Sequence, residues 1–177
     1  MHHCVDRILI TEEEIIKRIR ELGQTITKEY QSDAPLLVGL LKGSVPFLSE
    51  LIKHIDLDIE FDFMDVSSYS GTESTGEIRV VKDLDRSVRG VNILIVEDIV
   101  DTGRTLKTVK ELLISKGAQS VKVITLLDKP DRRVVDLESD YVGFVIPNEF
   151  VVGYGLDFNQ KYRNLPYIGV LKEECYK

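Results

Sequence analysis

The sequence predicts an α/β fold, in which a Rossmann-like parallel sheet is flanked by helices. Short apolar runs at 36–41, 91–96 and 121–127 have the length and composition of strands that are buried on both faces. Segments with apolar residues at helical spacing alternate with these runs, and such alternation is typical of a parallel sheet covered by helices. The length suffices for one sizeable core, so we predict a single domain over residues 1–177.

The first third of the chain predicts helix, strand and helix in that order. Thr11 and Glu14 have the spacing of a capping box, which marks a helix start. The apolar residues that follow keep a helical period: Ile15, Ile16, Ile19, Leu22 and Ile26. After the strand at 36–41, residues 42–44 turn into a second helix, in which Pro46 suits the first turn. The buried face of that helix is predicted to carry Phe47, Leu48, Leu51 and Ile52.

The middle of the chain predicts two strands around a polar loop, followed by a further strand, helix and strand. Apolar residues alternate along 59–63, as in a strand, whereas 67–77 is polar and glycine-containing and indicates a mobile loop. Another strand is expected at about 77–83. After the strand at 91–96, a helix is predicted to end at Gly117. Its apolar positions are Leu106, Val109, Leu112 and Leu113.

Three loops follow apolar strands, at 42–44, 97–105 and 128–133. Ligands bind beyond the carboxyl ends of the strands in open parallel sheets, so these loops should meet at one edge of the sheet. The chain lacks the GxxxxGK[ST] spacing of a Walker loop, and no GxGxxG follows a strand. Any phosphate site must therefore be built in another way.

Residues 101–105 have the parts of a phosphate site. The start of a helix offers unpaired N–H groups and the positive end of the helix dipole. Thr102 and Thr105 add hydroxyl donors, and Gly103 allows a close backbone approach or a positive φ. The alternative is that Asp101 or Thr102 only caps the helix.

The acids next to this loop need a separate explanation. Glu97, Asp98 and Asp101 would repel a phosphate unless ribose hydroxyls or Mg²⁺ lay between them. The segment therefore suits a phosphorylated ribose with a metal ion nearby. In the alternative interpretation, Glu97 and Asp98 merely end a strand.

Residues 96–105, Val-Glu-Asp-Ile-Val-Asp-Thr-Gly-Arg-Thr, resemble the signature of the type I phosphoribosyltransferases, which bind 5-phosphoribosyl-1-pyrophosphate at this loop. The resemblance implies that Glu97 and Asp98 hold the ribose hydroxyls and that, with Asp157, they bind Mg²⁺. The implied 5′-phosphate site consists of Asp101, Thr102, Gly103, Arg104 and Thr105. We also predict Asp101 as the general base for the N7 proton of a purine, because a helix N-terminus favours its ionised form.

Residues 150–157, Phe-Val-Val-Gly-Tyr-Gly-Leu-Asp, resemble the purine-binding segment of hypoxanthine-guanine phosphoribosyltransferases. The resemblance implies that Phe150 stacks on the purine, that the Val151 backbone reads the base edge and that Asp157 contacts the 2-position. It also implies that Lys129 donates to the exocyclic oxygen of a 6-oxopurine. The alternatives are that Phe150 is a core residue and Lys129 a solvated lysine.

The same resemblance implies a pyrophosphate site and a lid. Lys42 and Gly43, with a cis peptide bond before the lysine, would hold pyrophosphate together with Arg163. Ser68 and Tyr69 would begin a lid that keeps water from the reacting carbon. The alternatives are an ordinary strand-to-helix turn and a disordered surface loop.

The composition of the chain limits the kinds of partner that the protein is expected to bind. A net charge of −7 argues against broad binding to nucleic acid or anionic membranes, and no apolar run reaches membrane-spanning length. The start lacks the features of a signal peptide. Cys4 and Cys175 are expected to be reduced thiols of a cytoplasmic protein, and His2, His3 and Cys4 to be a flexible terminus rather than a metal site.

The resemblance completes the functional prediction. It implies a small hood formed by the terminal segments, a homodimer or homotetramer, and transfer of the phosphoribosyl group to hypoxanthine or guanine. Two alternatives remain: a regulator with this fold that binds nucleotides or nucleic acid, and a transferase that prefers xanthine or a pyrimidine. The first would want a basic face, which the net charge of −7 disfavours. The segments around Lys129 and Phe150 argue against a pyrimidine but not against xanthine.

Overall fold

The computed structural model describes residues 2–68 and 78–177, and the side chain of Ser68 is not described. In chain order, its helices and strands are β1 (Val5–Ile10), α1 (Glu12–Glu29), β2 (Leu36–Leu40), α2 (Val45–Leu51), β3 (Glu60–Ser68), β4 (Ile78–Lys82), β5 (Asn92–Val100), α3 (Arg104–Ser115), β6 (Ser120–Asp128), β7 (Tyr141–Val145), β8 (Val151–Val152) and β9 (Ile168–Leu171). Short 3-10 turns cover Ile52–His54, Pro130–Arg132 and Glu173–Cys175.

The main sheet has the order β4-β3-β2-β5-β6-β7 within the described residues. Strands β3, β2, β5, β6 and β7 are parallel, and β4 is an antiparallel edge strand beside β3. Successive side chains on a strand point to opposite faces, so the buried strands contribute to two cores. Leu37 and Leu94 pack with α1 and α2, whereas Leu36 and Ile93 pack with α3. The predicted fold, a parallel sheet flanked by helices, is confirmed.

The predicted helices are present, and the capping box is confirmed. The Thr11 hydroxyl accepts from the Glu14 N–H at 3.3 Å, and the Glu14 carboxylate accepts from the Thr11 N–H at 2.8 Å. The buried residues of α1 are Ile15, Ile19, Leu22, Gly23 and Ile26. Helix α2 is shorter than predicted, because Ile52 begins a 3-10 turn.

The two ends of the chain form a second, three-stranded antiparallel sheet with the order β1-β9-β8. This sheet is the hood that the family resemblance implies. Val5 pairs with Leu171 at one end of the β1–β9 ladder. The pairing brings Cys4 and Cys175 together with Cα atoms 6.0 Å apart, and the two form a disulfide. The expectation of reduced thiols on a flexible terminus is therefore wrong, because strand pairing, which the sequence did not reveal, fixes both ends.

The predicted end of β5 is also wrong. The strand continues past Val96 to Val100, because its ladder with β6 runs on to the pair Val100–Asp128. Glu97 and Asp98 consequently lie inside a strand rather than in a loop. The predicted lid begins at the end of β3, but Tyr69 and the residues up to 77 lie outside the described residues. No described helix has both the length and the apolar character that a membrane crossing requires.

Candidate active site

The three predicted loops meet at the carboxyl-terminal edge of the main sheet, as expected. Strands β2, β5 and β6 are neighbours and run in parallel, so their ends lie side by side. The Lys129 N–H donates to the Val100 carbonyl at 2.9 Å, which places Lys129 next to Asp101. Both side chains line one cavity of about 400 Å³. Register between two strands therefore brings together two residues that are 28 positions apart in the sequence.

The turn before α3 combines a glycine of positive φ with the start of a helix. Gly103 precedes the helix with φ 81° and ψ −5°, a conformation in which side chains are disfavoured. Thr102, Gly103 and Thr105 line a small cavity of about 180 Å³, together with Glu97. Arg104 begins α3 and is exposed. The turn thus presents a helix start and two threonines to one cavity, with an acid on its wall.

The two acids on β5 lie against the loop after β2. A Cβ atom built on Gly43 would come within 1.7 Å of the Asp98 Oδ2 atom, so the carboxylate occupies the space that any other residue would need. The Asp98 Oδ1 atom accepts from the Ile99 N–H at 2.8 Å. Burial raises the pKa of Glu97 well above its ordinary value, and the Asp98 carboxylate raises it further. No described lysine or arginine forms an ion pair with either acid.

Asp101 is held by two arginines that follow Lys129. The Arg132 Nε atom donates to the Asp101 carboxylate at 3.0 Å, and the Arg133 Nη1 atom donates to the Asp101 carbonyl at 2.8 Å. Arg133 also forms an ion pair with Asp128, and both of these side chains are largely buried. Arg132 and Arg133, which lie in the loop after β6, therefore fix the position of Asp101 at the end of β5.

The larger cavity is lined by a buried lysine and a partly exposed aromatic ring. Lys129 is only 9% exposed, and its Nζ atom donates to the Glu149 carbonyl at 2.6 Å. Desolvation by burial lowers the pKa of this lysine. Phe150 and Val151 line the same cavity, and 38% of Phe150 is exposed. The alternatives of a solvated Lys129 and a core Phe150 are therefore wrong.

The segment after β8 packs on the loop after β2. A Cβ atom on Gly155, whose φ is 103°, would lie 2.0 Å from the Gly43 carbonyl oxygen. The peptide bond between Leu41 and Lys42 is cis, as the resemblance implies, and the Lys42 side chain is exposed. The hydroxyl of Ser44 is buried and has no hydrogen-bond partner in the described structure. The loop after β2 therefore carries the exposed ammonium group of Lys42 and, two residues later, the unpartnered hydroxyl of Ser44.

Arg163 is fixed by the same segment. Its Nη1 atom donates to the Gly155 carbonyl at 2.7 Å, and its Nη2 atom lies 3.0 Å from the Asp157 Oδ1 atom. The Gln160 side chain accepts from Nη2 at 3.1 Å, and the Gln160 N–H donates to Asp157 at 2.8 Å. Asp157, a predicted metal ligand, is thus already paired with a cation.

Four residues at the site were missed by the sequence analysis. Arg132 and Arg133 lie three and four residues after Lys129, so their closeness in sequence to a predicted site residue was an available signal. Glu149 contributes through its backbone carbonyl, and a sequence carries no signal for such a contact. Tyr176 lines the base cavity from the opposite end of the chain, and no local pattern indicates this.

Comparisons with known proteins agree with this geometry. Residues 6–159 match the family model described as phosphoribosyl transferase domain. The hypoxanthine-guanine phosphoribosyltransferase of Lactococcus lactis subsp. lactis (strain IL1403) is 60% identical over 174 residues, covering 98% of this chain and 94% of that protein. Its counterpart in Bacillus subtilis (strain 168) is 55% identical, covering 100% and 99%. A crystal structure of a hypoxanthine phosphoribosyltransferase from Staphylococcus aureus superposes with a TM-score of 0.96 at 55% identity, covering 100% of this chain and 97% of that one.

Proposed function

Because the chain belongs to the phosphoribosyl transferase family, we propose that it transfers the 5-phosphoribosyl group from phosphoribosyl pyrophosphate to hypoxanthine or guanine. The products are IMP or GMP and pyrophosphate, so the reaction is a step of purine salvage. The observation that carries this proposal is the convergence of a buried lysine, an exposed phenylalanine and Asp101 on one cavity, next to a helix start. The comparisons favour this enzyme over the alternative of a regulator.

The proposed site offers a place for each part of the phosphoribosyl donor. Residues 101–105 would bind the 5′-phosphate through the N–H groups at the start of α3 and the hydroxyls of Thr102 and Thr105. Glu97 and Asp98 would accept hydrogen bonds from the ribose hydroxyls. Glu97 lines the cavity at the turn before α3 and Asp98 lies against Gly43, which supports a sugar site between the two loops.

The leaving pyrophosphate would lie against Lys42, Gly43 and Arg163. Lys42 is exposed at the edge of the sheet, and its loop touches the segment that positions Arg163. The unpartnered Ser44 hydroxyl adds a donor to the same loop. We retain Ser68 and Tyr69 as the proposed start of a lid.

The acids fit a divalent metal ion, which this family generally uses, and we propose Mg²⁺. Glu97 and Asp98 are adjacent carboxylates without an ion-pair partner among the described residues, and burial, with the neighbouring Asp98 carboxylate second, raises the pKa of Glu97. When bound, the ion would neutralise pyrophosphate and improve it as a leaving group. Asp157 would contribute to the same metal binding, although Arg163 already pairs with it.

The chain itself supplies the proton acceptor and the base recognition. Asp101 would take the N7 proton while the purine N9 attacks the ribose C1′ atom and the bond from C1′ to pyrophosphate breaks. Arg132 holds the Asp101 carboxylate in position for this step. Lys129 would donate to the exocyclic oxygen of a 6-oxopurine, and the Val151 backbone and Asp157 would contact the rest of the base. Much of the acceleration then comes from positioning and charge stabilisation.

The proposal extends to the whole molecule. By the family resemblance, we propose that residues 1–177 act as one domain, that the protein forms a homodimer or homotetramer, and that it works in the cytoplasm. Sedimentation velocity would distinguish the two assemblies from a monomer. We propose no nucleic-acid or membrane partner, in keeping with a net charge of −7.

Turnover with a panel of bases tests the proposed function. Pyrophosphate release from phosphoribosyl pyrophosphate would be measured with hypoxanthine, guanine, xanthine and adenine in the presence of Mg²⁺. We expect release with hypoxanthine and guanine, and none with adenine, whose amino group cannot accept from Lys129. Xanthine as the preferred base would leave the reaction intact and change the substrate. The absence of release with every purine would refute the proposal.

A further inference from the structure

The side chain that is proposed to stack on the purine is itself backed by a residue from the C-terminal end. The ring of Tyr176 is stacked on Phe150, with centroids 4.7 Å apart and planes 18° apart. Phe158 meets both rings edge-on, at 5.7 Å from Phe150 and 6.5 Å from Tyr176. Stacked and edge-to-face arrangements are the favourable geometries of aromatic pairs. Three rings therefore form one cluster at the wall of the base cavity.

Tyr176 is held in this position by the hood. Its N–H donates to the Glu173 carbonyl at 3.2 Å, at the end of the 3-10 turn Glu173–Cys175. The preceding residue, Cys175, is joined to Cys4 by the disulfide. The Lys172 N–H also donates to the Cys4 carbonyl at 2.9 Å. The C-terminal segment is thus anchored on Cys4, next to strand β1. The position of the Tyr176 ring therefore does not depend on the stack alone.

One part of Phe150 remains open. Although Tyr176 and Phe158 cover it, 38% of the Phe150 residue is exposed, and it lines the cavity that also contains Asp101 and Lys129. A ring has two faces, and one of them is occupied by Tyr176. The open surface is therefore the one that a flat base could cover.

We propose that Tyr176 is a positioning residue of the purine site, which fixes the Phe150 ring so that Tyr176, Phe150 and the base form three stacked layers. This inference rests on the proposed function. Without Tyr176, the Phe150 ring would lose the partner on its far side and adopt other orientations. The base would then bind to a Phe150 ring whose orientation must first be fixed, and this requirement weakens base binding. The phosphoribosyl donor binds elsewhere on the sheet edge and should be little affected.

Substitution of Tyr176 by alanine and by phenylalanine tests the proposal. An aromatic pair contributes about 0.5–1.5 kcal/mol beyond its buried area, which corresponds to about a two- to tenfold effect. We expect Tyr176→Ala to raise the KM for hypoxanthine and for guanine by about that factor and to leave the KM for phosphoribosyl pyrophosphate nearly unchanged. Because the stack is also present in the free protein, the thermal unfolding midpoint should fall by only a few degrees. Tyr176→Phe retains the ring and should restore the wild-type KM.

Tyr167→Ala is the matched control. Tyr167 packs in the same hood cluster but does not line the base cavity. We expect its KM for the purine to equal that of wild type. An equal rise in both alanine variants would show that the effect is loss of hood packing, and would overturn the proposal. A fall in KM for Tyr176→Ala would overturn it as well, since Tyr176 would then occupy the place of the base.

The failure of this proposal is distinguishable from the failure of the proposed function. Turnover by the wild-type enzyme with hypoxanthine supports the proposed function whatever the variants do. Calorimetric titration with GMP gives a second measurement that needs no turnover, and we expect Tyr176→Ala to bind GMP more weakly by the same factor. Equal GMP affinity of Tyr176→Ala and wild type would overturn the positioning role.

Discussion

At the scale of the residue, the acids on β5 combine burial with like charge. Glu97 is partly enclosed beside Asp98, and both effects disfavour its ionised form. A site of this kind costs stability in the free protein and becomes favourable when hydroxyls or a cation satisfy the carboxylates. The arrangement is consistent with a binding role rather than a structural one.

The pKa of Glu97 predicts how stability depends on pH. The folded protein holds a proton on Glu97 above pH 4.5, the ordinary value, where the unfolded chain has released it. The free energy of unfolding therefore falls as the pH rises from 4.5 through the raised pKa. Glu97→Gln cannot titrate, so we expect a smaller fall between pH 5 and pH 7, by up to about 1.4 kcal/mol per pH unit.

Urea unfolding at several pH values in the presence of a chelator measures this difference. Glu111→Gln is the control, because Glu111 is an exposed acid on α3. It should leave the wild-type pH dependence unchanged. The same pH dependence in wild type and Glu97→Gln would contradict the raised pKa.

Lys129 gives a second prediction at the scale of the residue. Lys129→Met keeps the buried stem but removes the donor, so hypoxanthine and guanine should lose about 10- to 100-fold in kcat/KM. Lys17→Met, at an exposed position on α1, should have no effect. Steady-state kinetics with several bases checks both. An unchanged preference among the bases in Lys129→Met would refute the assigned role.

Residue chemistry of this kind was largely predictable from the sequence. The acids and the threonines could be proposed from a local motif and Lys129 from the family resemblance, and their roles remain predictions. The partners of Asp101 were not predicted, since Arg132 and Arg133 act from the loop that follows the neighbouring strand, β6. The disulfide was missed for the same reason: Cys4 and Cys175 are 171 residues apart and meet only through strand pairing.

At the scale of the element, the site depends on how closely three segments pack. The loop after β2 touches Asp98 on β5 through Gly43 and touches the segment after β8 through Gly155. Neither contact leaves room for a side chain. The same two glycine contacts therefore position the proposed sites for the sugar, the pyrophosphate and the base.

Gly43→Ala should break this arrangement. The added methyl group would displace the Asp98 carboxylate or the loop itself, and a shift of about 1 Å in a reacting group can cost about 100-fold in rate. We expect a loss of about that size in kcat/KM for phosphoribosyl pyrophosphate. Gly90→Ala is the control, because a Cβ there would meet nothing within 4 Å although φ is 70°. It should lower stability but not activity.

Steady-state kinetics and thermal unfolding of both glycine variants separate the two effects. Full activity of Gly43→Ala would contradict the packing account, as would an equal loss in Gly90→Ala. The sequence indicated a tight turn at Gly43, but not which carboxylate lies against it. The predicted end of β5 at Val96 even placed Asp98 outside the strand, because two charged residues resemble the end of an apolar run.

At the scale of the whole molecule, the packed sheet and helices support functional side chains that lie at one edge of the sheet. The parallel strands bring the phosphate turn, the acids and Lys129 to one edge, and the hood places Phe150 and Tyr176 over that edge. The class of the fold, a parallel sheet flanked by helices, followed from alternating strands and helices, but the order of the strands was not predicted. The pairing of β1 with β9 was not predicted either, because those strands are short and come from opposite ends of the chain.

We propose that this edge of the sheet transfers a phosphoribosyl group to a purine and that Asp101 takes the proton. The most direct measurement compares pyrophosphate release by wild type and Asp101→Asn with saturating hypoxanthine and phosphoribosyl pyrophosphate. Asparagine retains the shape and cannot accept the proton in the same way, so we expect kcat to fall by about 10²- to 10⁴-fold. Equal kcat values for the two proteins, or no release by wild type, would contradict the account.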